Sequence, residues 1–268
     1  MRKILVFGAS GMLGYAVSEY FDRKGFYVSK ISRNEFDIAK DSHSKLNEII
    51  KDSDYVINCA GIIKSRIDDL SIEEILLVNS IFPQNLAKAC KQENIKCFHI
   101  TTDCAFDGKT GNYSEDDLFD AEDVYGMSKI GGDSADCMIL RTSIVGEEKG
   151  QNRSLLHWAK SQAGKEVNGF TNHIWNGVTT VYLSEIIEKI INENLYKNGL
   201  FHIHSPQSVT KFELLQIFNE VYQLNLKINP TDGKPSVDRS LSSIYNINSE
   251  LVKKTIKEQV FEMREFFI

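Results

Sequence analysis

The opening of the chain constrains it most. The apolar run KILVF (3–7) leads into GASGMLG (8–14), and Met12, Leu13, Ala16, Val17, Tyr20 and Phe21 then recur at helical spacing until Gly25. This reads as a buried strand, a turn with Gly8, Gly11 and Gly14 spaced G-x-x-G-x-x-G, and a helix. Glycine lets a backbone turn tightly and approach a ligand closely. The N-terminus of the next helix offers unpaired N–H groups and a positive dipole end to a pyrophosphate. A strand before the glycines and a helix after them is the context that a dinucleotide site requires.

The same alternation continues. FYVSKIS (26–32), DYVINCAG (54–61), KCFHIT (96–101) and CMILRTS (137–143) read as further strands. Helical patterns cover 42–51, 71–94 and 123–135, and Pro83 is expected to divide the second of these. Near-continuous apolar strands separated by helices imply a parallel sheet covered on both faces. The expected fold class is therefore α/β, a Rossmann-type doubly wound parallel sheet with a small C-terminal substrate lobe. The division expected is an NAD(P)-binding Rossmann domain over 1–150 and a mainly substrate-binding lobe over 151–268, with some elements returning to the sheet. Within that lobe, 151–178 mixes a helix with the polar stretch VNGFTNHIWNGV. A helix at 184–194, a strand at 199–205 and a helix at 210–223 follow, and 225–245 reads as irregular.

Composition narrows the partners. With 268 residues, 42% hydrophobic and 25% charged, the chain resembles an ordinary globular enzyme. A net charge of −6 argues against nucleic acid or an acidic membrane surface. The five cysteines (Cys59, Cys90, Cys97, Cys104 and Cys137) form no C-x-x-C pair. They predict reduced thiols in the cytoplasm, without a disulfide frame or a metal site. The apolar run before Gly8 is too short for a signal peptide, and no stretch approaches the roughly 18 apolar residues of a membrane span.

Two further features carry chemistry. The second strand ends in ISRNEFDI, with Ser32 and Arg33 where enzymes that bind an unphosphorylated ribose usually carry an acid. A hydroxyl and a guanidinium suit a 2′-phosphate, although Glu35 and Asp37 keep NAD(H) open as the alternative. Asp37 and Ile38 are candidates to border the adenine. Further on, DVYGMSKIGGD (123–133) places Tyr125 and Lys129 at i and i+4, on one helix face. A cation beside a phenol favours the phenolate and lowers its pKa from about 10, so the pair reads either as a tuned general acid or as a surface contact only.

Taken with NCAG (58–61), VNSIFPQNLAKAC (78–90), TTDCAFDGKTGNYSEDD (101–117) and ILRTSIVG (139–146), these stretches resemble the extended short-chain dehydrogenase/reductases, and within them the dTDP-4-dehydrorhamnose reductase family. The order of the pieces matches over about the first 150 residues. The C-terminal third matches only in outline, through NHIWNGVTT, GLFHIHS and DRSLSS. The resemblance implies Thr102 as a catalytic hydroxyl, Tyr125 as the proton donor to a sugar ketone, and Lys129 as the cation that holds the nicotinamide ribose. It implies that Gly8, Gly11, Met12, Leu13 and Gly14 surround the pyrophosphate, that Cys59, Ala60 and Gly61 line the cofactor cleft, and that Asn79 bridges a helix and a strand. Hydride addition builds negative charge on the carbonyl oxygen, which two hydroxyls and a cation would stabilise.

The departures from the family pattern also matter. Two residues after Thr102 the family usually has tyrosine; this chain has Cys104. A related epimerase-reductase places a catalytic cysteine at that offset, and His157 is the displaced candidate for its partner histidine. Arg141, Arg153 and Arg239 are candidate contacts for a substrate diphosphate. Trp175 and Asn176 are candidates to wall the sugar pocket. The resemblance implies an NADP(H)-dependent reductase of a nucleotide-linked 4-keto-6-deoxy sugar, in surface-polysaccharide precursor synthesis, with a homodimer as the candidate assembly. An epimerase or epimerase-reductase using Cys104, and a non-catalytic cofactor-binding regulatory subunit, are the alternatives.

Overall fold

The computed structural model describes residues 1–150 and 154–268. The chain opens with β1 (Lys3–Phe7), α1 (Met12–Arg23), β2 (Tyr27–Ile31), α2 (His43–Ile50) and β3 (Tyr55–Asn58). A long helical run follows as α3 (Ile72–Leu76), a π-turn (Leu77–Ile81) and α4 (Phe82–Gln92). Then come β4 (Lys96–Thr102), α5 (Val124–Gly132), β5 (Met138–Thr142) and the short β6 (Ile144–Val145).

The second half comprises α6 (Leu155–Ser161), β7 (Glu166–Phe170), β8 (His173–Trp175), β9 (Val178–Thr179), α7 (Thr180–Asn192) and β10 (Gly199–His202). It continues through β11 (Val209–Thr210), α8 (Lys211–Tyr222), β12 (Lys227–Thr231), β13 (Val237–Asp238), α9 (Asn246–Leu251) and α10 (Ile256–Phe267).

Six strands form one all-parallel sheet in the order β10-β5-β4-β3-β1-β2. In β1, Ile4 and Val6 face one side while Leu5 and Phe7 face the other, and all four are essentially inaccessible. Ile4 and Val6 join Val17 and Phe21 of α1 and Ile186 and Ile187 of α7. Leu5 and Phe7 join Leu46 and Ile50 of α2 and Leu86 and Cys90 of α4. Each such side chain contributes roughly 1.5–3 kcal/mol on burial, and only a sheet covered on both faces uses both sets. The strand order reverses between β1 and β3, which opens a crevice beyond their C-terminal ends, the usual ligand position in such sheets.

Three expectations are corrected. Pro83 does not divide the helical run, because it stands in the first turn of α4, directly after the π-turn, where a missing N–H is tolerated. The segment 225–245 is not irregular throughout: β12 runs parallel to β7, and β13 runs parallel to β8. Pro230 disguises β12, and it is admissible there because that two-stranded pair has only edge strands. The polar stretch after α6 likewise holds β7, β8 and β9. The C-terminal α10 packs back on α1, with Phe267 stacked on Tyr15 and the Arg23 guanidinium 4.0 Å from the Phe266 ring centroid.

Candidate active site

The crevice continues into a cavity of about 630 Å³. At one end lies the glycine turn. Gly8 adopts φ +73°, and a Cβ there would lie 2.7 Å from the Ala60 nitrogen. A Cβ on Gly14 would drive into the Gly8 carbonyl oxygen, so Gly14 lets α1 start against the turn but does not itself line the cavity. Gly11 is the N-cap of α1 and donates its N–H to the Gly8 carbonyl (2.9 Å). Gly8, Gly11, Met12 and Leu13 line the cavity, as do Cys59, Ala60 and Gly61 from the end of β3. A dinucleotide pyrophosphate fits this cradle of close backbone and helix N-terminus.

Ser32, Arg33, Asp37 and Ile38 line the same cavity at the end of β2. The Glu35 carboxylate accepts from the Ser32 N–H (2.9 Å) and from its hydroxyl, which hold Glu35 below the usual carboxylate range. Arg33 Nε lies 3.2 Å from Asp37 Oδ2, with the arginine side chain 63% exposed. An exposed pair of this kind is worth little, so the guanidinium is available to a ligand phosphate.

In the middle of the cavity stand Thr102, at the end of β4, and Tyr125 and Lys129, on α5. Asp123 caps α5 by accepting from the Gly126 N–H (2.8 Å) and pairs with Lys64 (2.6 Å). Gly126, Gly131 and Gly132 let α5 lie against the Cys104 carbonyl and the π-turn, where any Cβ would collide. The π-turn aims the fully buried Asn79, whose Oδ1 accepts from the Ile62 N–H (2.8 Å). Its Nδ2 donates to the Ile62 carbonyl (3.1 Å) and to Ser128 Oγ (3.0 Å), so it ties the loop after β3 to α5. A Cβ on Gly61 would lie 2.7 Å from Lys129 Nζ, so the ammonium rests against the Gly61 backbone.

Burial decides the electrostatics here. It pushes the Tyr125 phenol above its ordinary value, aided by Cys104, Asp103 and Asp123 and opposed by a hydrogen bond with Thr102. Burial also lowers Lys129, against the pull of Asp133 and Cys59. The expected depression of the phenol is therefore corrected: desolvation outweighs the lowering hydrogen bond with Thr102. Tyr125 accordingly stays protonated through neutral pH.

On the far side, Cys104 and Trp175 line the cavity. The Cys104 N–H donates to Thr102 Oγ1 (3.2 Å), while burial and Asp103 push its thiol up to about 12. The near-neutral thiol that epimerisation would use is thus not supported. His157, in the first turn of α6, is outside the cavity lining, although Ser154 and Leu155 are in it. Asn176 was expected at the sugar, yet its amide clasps Leu241, accepting from the N–H (2.9 Å) and donating to the carbonyl (2.7 Å). Arg239 lies outside the lining and donates from Nε to the Phe106 carbonyl (2.8 Å) and from Nη2 to the Asp107 carbonyl (3.2 Å). Arg141 is fully buried in an ion pair with Asp133 and bonded to His202 (3.2 Å), so it is unavailable to a diphosphate. Arg153 lies outside the described residues. Among the described residues, no cluster of His, Cys, Asp or Glu could hold a metal ion, and no helix is long and apolar enough to cross a membrane.

The profile of the RmlD substrate binding domain family matches residues 1–266. The chain belongs to this family. It is 30% identical over 234 residues to a dTDP-4-dehydrorhamnose reductase of Aggregatibacter actinomycetemcomitans, covering 82% of this chain and 79% of that protein. It is 27% identical over 222 residues to the spore coat polysaccharide biosynthesis protein SpsK of Bacillus subtilis, covering 80% and 77%. The solved dTDP-4-dehydrorhamnose reductase of Bacillus anthracis in complex with NADP shares the fold, with a TM-score of 0.83, 18% identity and 99% of both chains covered.

Two lining residues of this RmlD-family chain, Asp103 and Lys211, were not among the candidate site residues. Asp103 is buried next to Thr102, whose hydroxyl donates to its Oδ1 (3.1 Å). Its position directly after Thr102 was the available signal. Burial raises this carboxyl, opposed by Arg239 and Lys211. Lys211, at the start of α8, also reaches the cavity, and nothing in its local sequence marks it out.

Proposed function

We propose that the protein is an NADP(H)-dependent reductase of a nucleotide-linked 4-keto-6-deoxy sugar, acting in surface-polysaccharide precursor synthesis in the cytoplasm. The observation that carries this reading is that Thr102, Tyr125 and Lys129 meet in the same cavity as the glycine turn. The glycine turn and the N-terminus of α1 hold the pyrophosphate, Arg33 and Ser32 hold the 2′-phosphate, and Lys129 holds the nicotinamide ribose. When bound, the cofactor supplies hydride to the carbonyl carbon. Tyr125 gives its phenolic proton to the carbonyl oxygen, and the Thr102 hydroxyl fixes that oxygen within reach. The phenolate left behind is stabilised by the Lys129 ammonium and regains its proton from solvent.

The relatives' names support the nucleotide-sugar substrate and the polysaccharide pathway. The raised Cys104 thiol and the outlying His157 favour reduction over epimerisation. The proposed assembly is a homodimer, which light scattering reads directly. The test of the function is a panel of nucleotide-linked 4-keto sugars incubated with NADPH, with products identified by NMR. We expect NADPH oxidation matched one for one by a new sugar hydroxyl. NADPH binding without oxidation by any keto sugar would instead mark a regulatory subunit.

A further inference from the structure

Lys211 is the first residue of α8, directly after the N-cap Thr210, whose hydroxyl accepts from the Glu213 N–H (3.1 Å). Its side chain lines the cavity beside Asp103, Cys104 and Trp175, with the ammonium 5.2 Å from the Trp175 ring centroid. Several conditions make this a costly place for a cation. The N-terminus of a helix carries the positive end of its dipole. The side chain is partly buried, and burial lowers its pKa while Asp103 and Cys104 oppose that. Among the described residues, the ammonium makes no hydrogen bond and no ion pair; its contact is the Trp175 face. Of the other lining cations, Lys64 is paired with Asp123 and Arg33 with Asp37, while Lys129 is the cation assigned to the cofactor ribose and Arg66, like Lys211, makes no ion pair among the described residues.

We propose that Lys211 binds an oxyanion of the substrate, so that negative charge on the nucleotide sugar is read at the wall formed by Trp175 and Lys211. The inference rests on the reading of this cavity as a nucleotide-sugar site. A lysine ammonium is a compact, strongly hydrated charge, and a phosphate or carboxylate repays its desolvation better than a neutral hydroxyl does. Two arginines that the sequence offered for a diphosphate are engaged elsewhere, Arg141 with Asp133 and Arg239 with two backbone carbonyls. The oxyanion is the diphosphate where the sugar is a 6-deoxy hexose, as proposed above, or a carboxylate where it is instead a uronate.

The test measures, by calorimetry on NADP⁺-saturated protein, the affinity for a nucleoside diphosphate (thymidine and uridine forms), the matching neutral nucleotide hexose, and the matching nucleotide uronate. Lys211→Met keeps the stem over Trp175 and removes the charge. A loss of roughly tenfold or more, the scale of one charge-assisted hydrogen bond, is expected, and Lys211→Arg should restore it. A loss for all three ligands assigns the diphosphate; a loss for the uronate alone assigns the carboxylate. Equal affinities in wild type and Lys211→Met would overturn the proposal and leave the nucleotide-sugar reading standing. A wild type that binds none of the ligands would overturn both. Stability gives an independent readout, because removing an unpaired cation should leave the melting temperature of the ligand-free protein unchanged or higher. A lower melting temperature with unchanged ligand affinity would make Lys211 a structural counter-charge to Asp103, against the proposal. If Lys211→Met fails to fold, Lys211→Gln carries the same measurements.

Discussion

The half of the molecule up to β6 and the half from α6 onward supply side chains to one cavity in different ways. In the first half, the residues read as catalytic or pyrophosphate-binding sit on local devices: Gly8 in a turn, Thr102 at the end of β4, Tyr125 and Lys129 on a helix capped at Asp123. In the second half, the fixing contacts are distant in sequence. Trp175 meets the ammonium of Lys211 from another element, and its neighbour Asn176, outside the cavity lining, is held on Leu241. The first arrangement writes the chemistry into short motifs. The second leaves it to tertiary packing, so a residue's type there says little about its duty.

If the first half carries the chemistry, Tyr125→Phe should give the largest effect. Turnover should fall by roughly 10²–10⁴-fold, the share of general acid catalysis, while NADPH still binds. Because burial raises the phenol above its ordinary value of about 10, the active protonated form is lost only as pH rises through that raised value. The wild-type rate should thus show no Tyr125-dependent decline between pH 7 and about 9. A decline in that range that vanishes in Tyr125→Phe would restore the lysine-depressed phenol.

The next effect separates a packing arginine from a binding one. Arg141→Met strands the buried Asp133 carboxylate, and breaking such a pair costs about 3–5 kcal/mol. Urea unfolding should register that loss, with the KM for the nucleotide sugar unchanged in the protein that remains folded. A raised KM at full stability would return Arg141 to the substrate.

Arg33→Ala should be milder, weakening NADPH by about tenfold, as loss of one exposed phosphate contact would, and NADH hardly at all. Equal losses for both cofactors, measured by fluorescence titration, would remove the 2′-phosphate role. The smallest expected effect belongs to Cys104→Ser. Reduction should continue, and in D₂O no deuterium should enter the carbons next to the ketone. Enzyme-dependent exchange that disappears in this variant would favour the epimerase reading despite the raised thiol.

Legibility follows how local the signal is. The parallel sheet and the cofactor end could be read from sequence because apolar strands, glycine spacing and i, i+4 pairing are local signals. Pro83 misled because its effect depends on the π-turn before it, and β12 was hidden by Pro230 and polar neighbours. Arg141 read as a phosphate ligand because sequence does not reveal that Asp133 lies beside it at the core of the fold. Lys211 passed unnoticed because a lysine after a threonine is common on any surface, and only the fold brings it to Trp175.

The most direct test of the account follows hydride. The protein is incubated with NADPH deuterated at the transferable nicotinamide position and a nucleotide-linked 4-keto-6-deoxy sugar, and the product is examined by NMR. The account predicts deuterium at the former carbonyl carbon, one per NADPH consumed, and almost none transferred by Tyr125→Phe over the same interval. Cofactor bound by both proteins with no deuterium transferred by the wild type to any keto sugar of the class would contradict it.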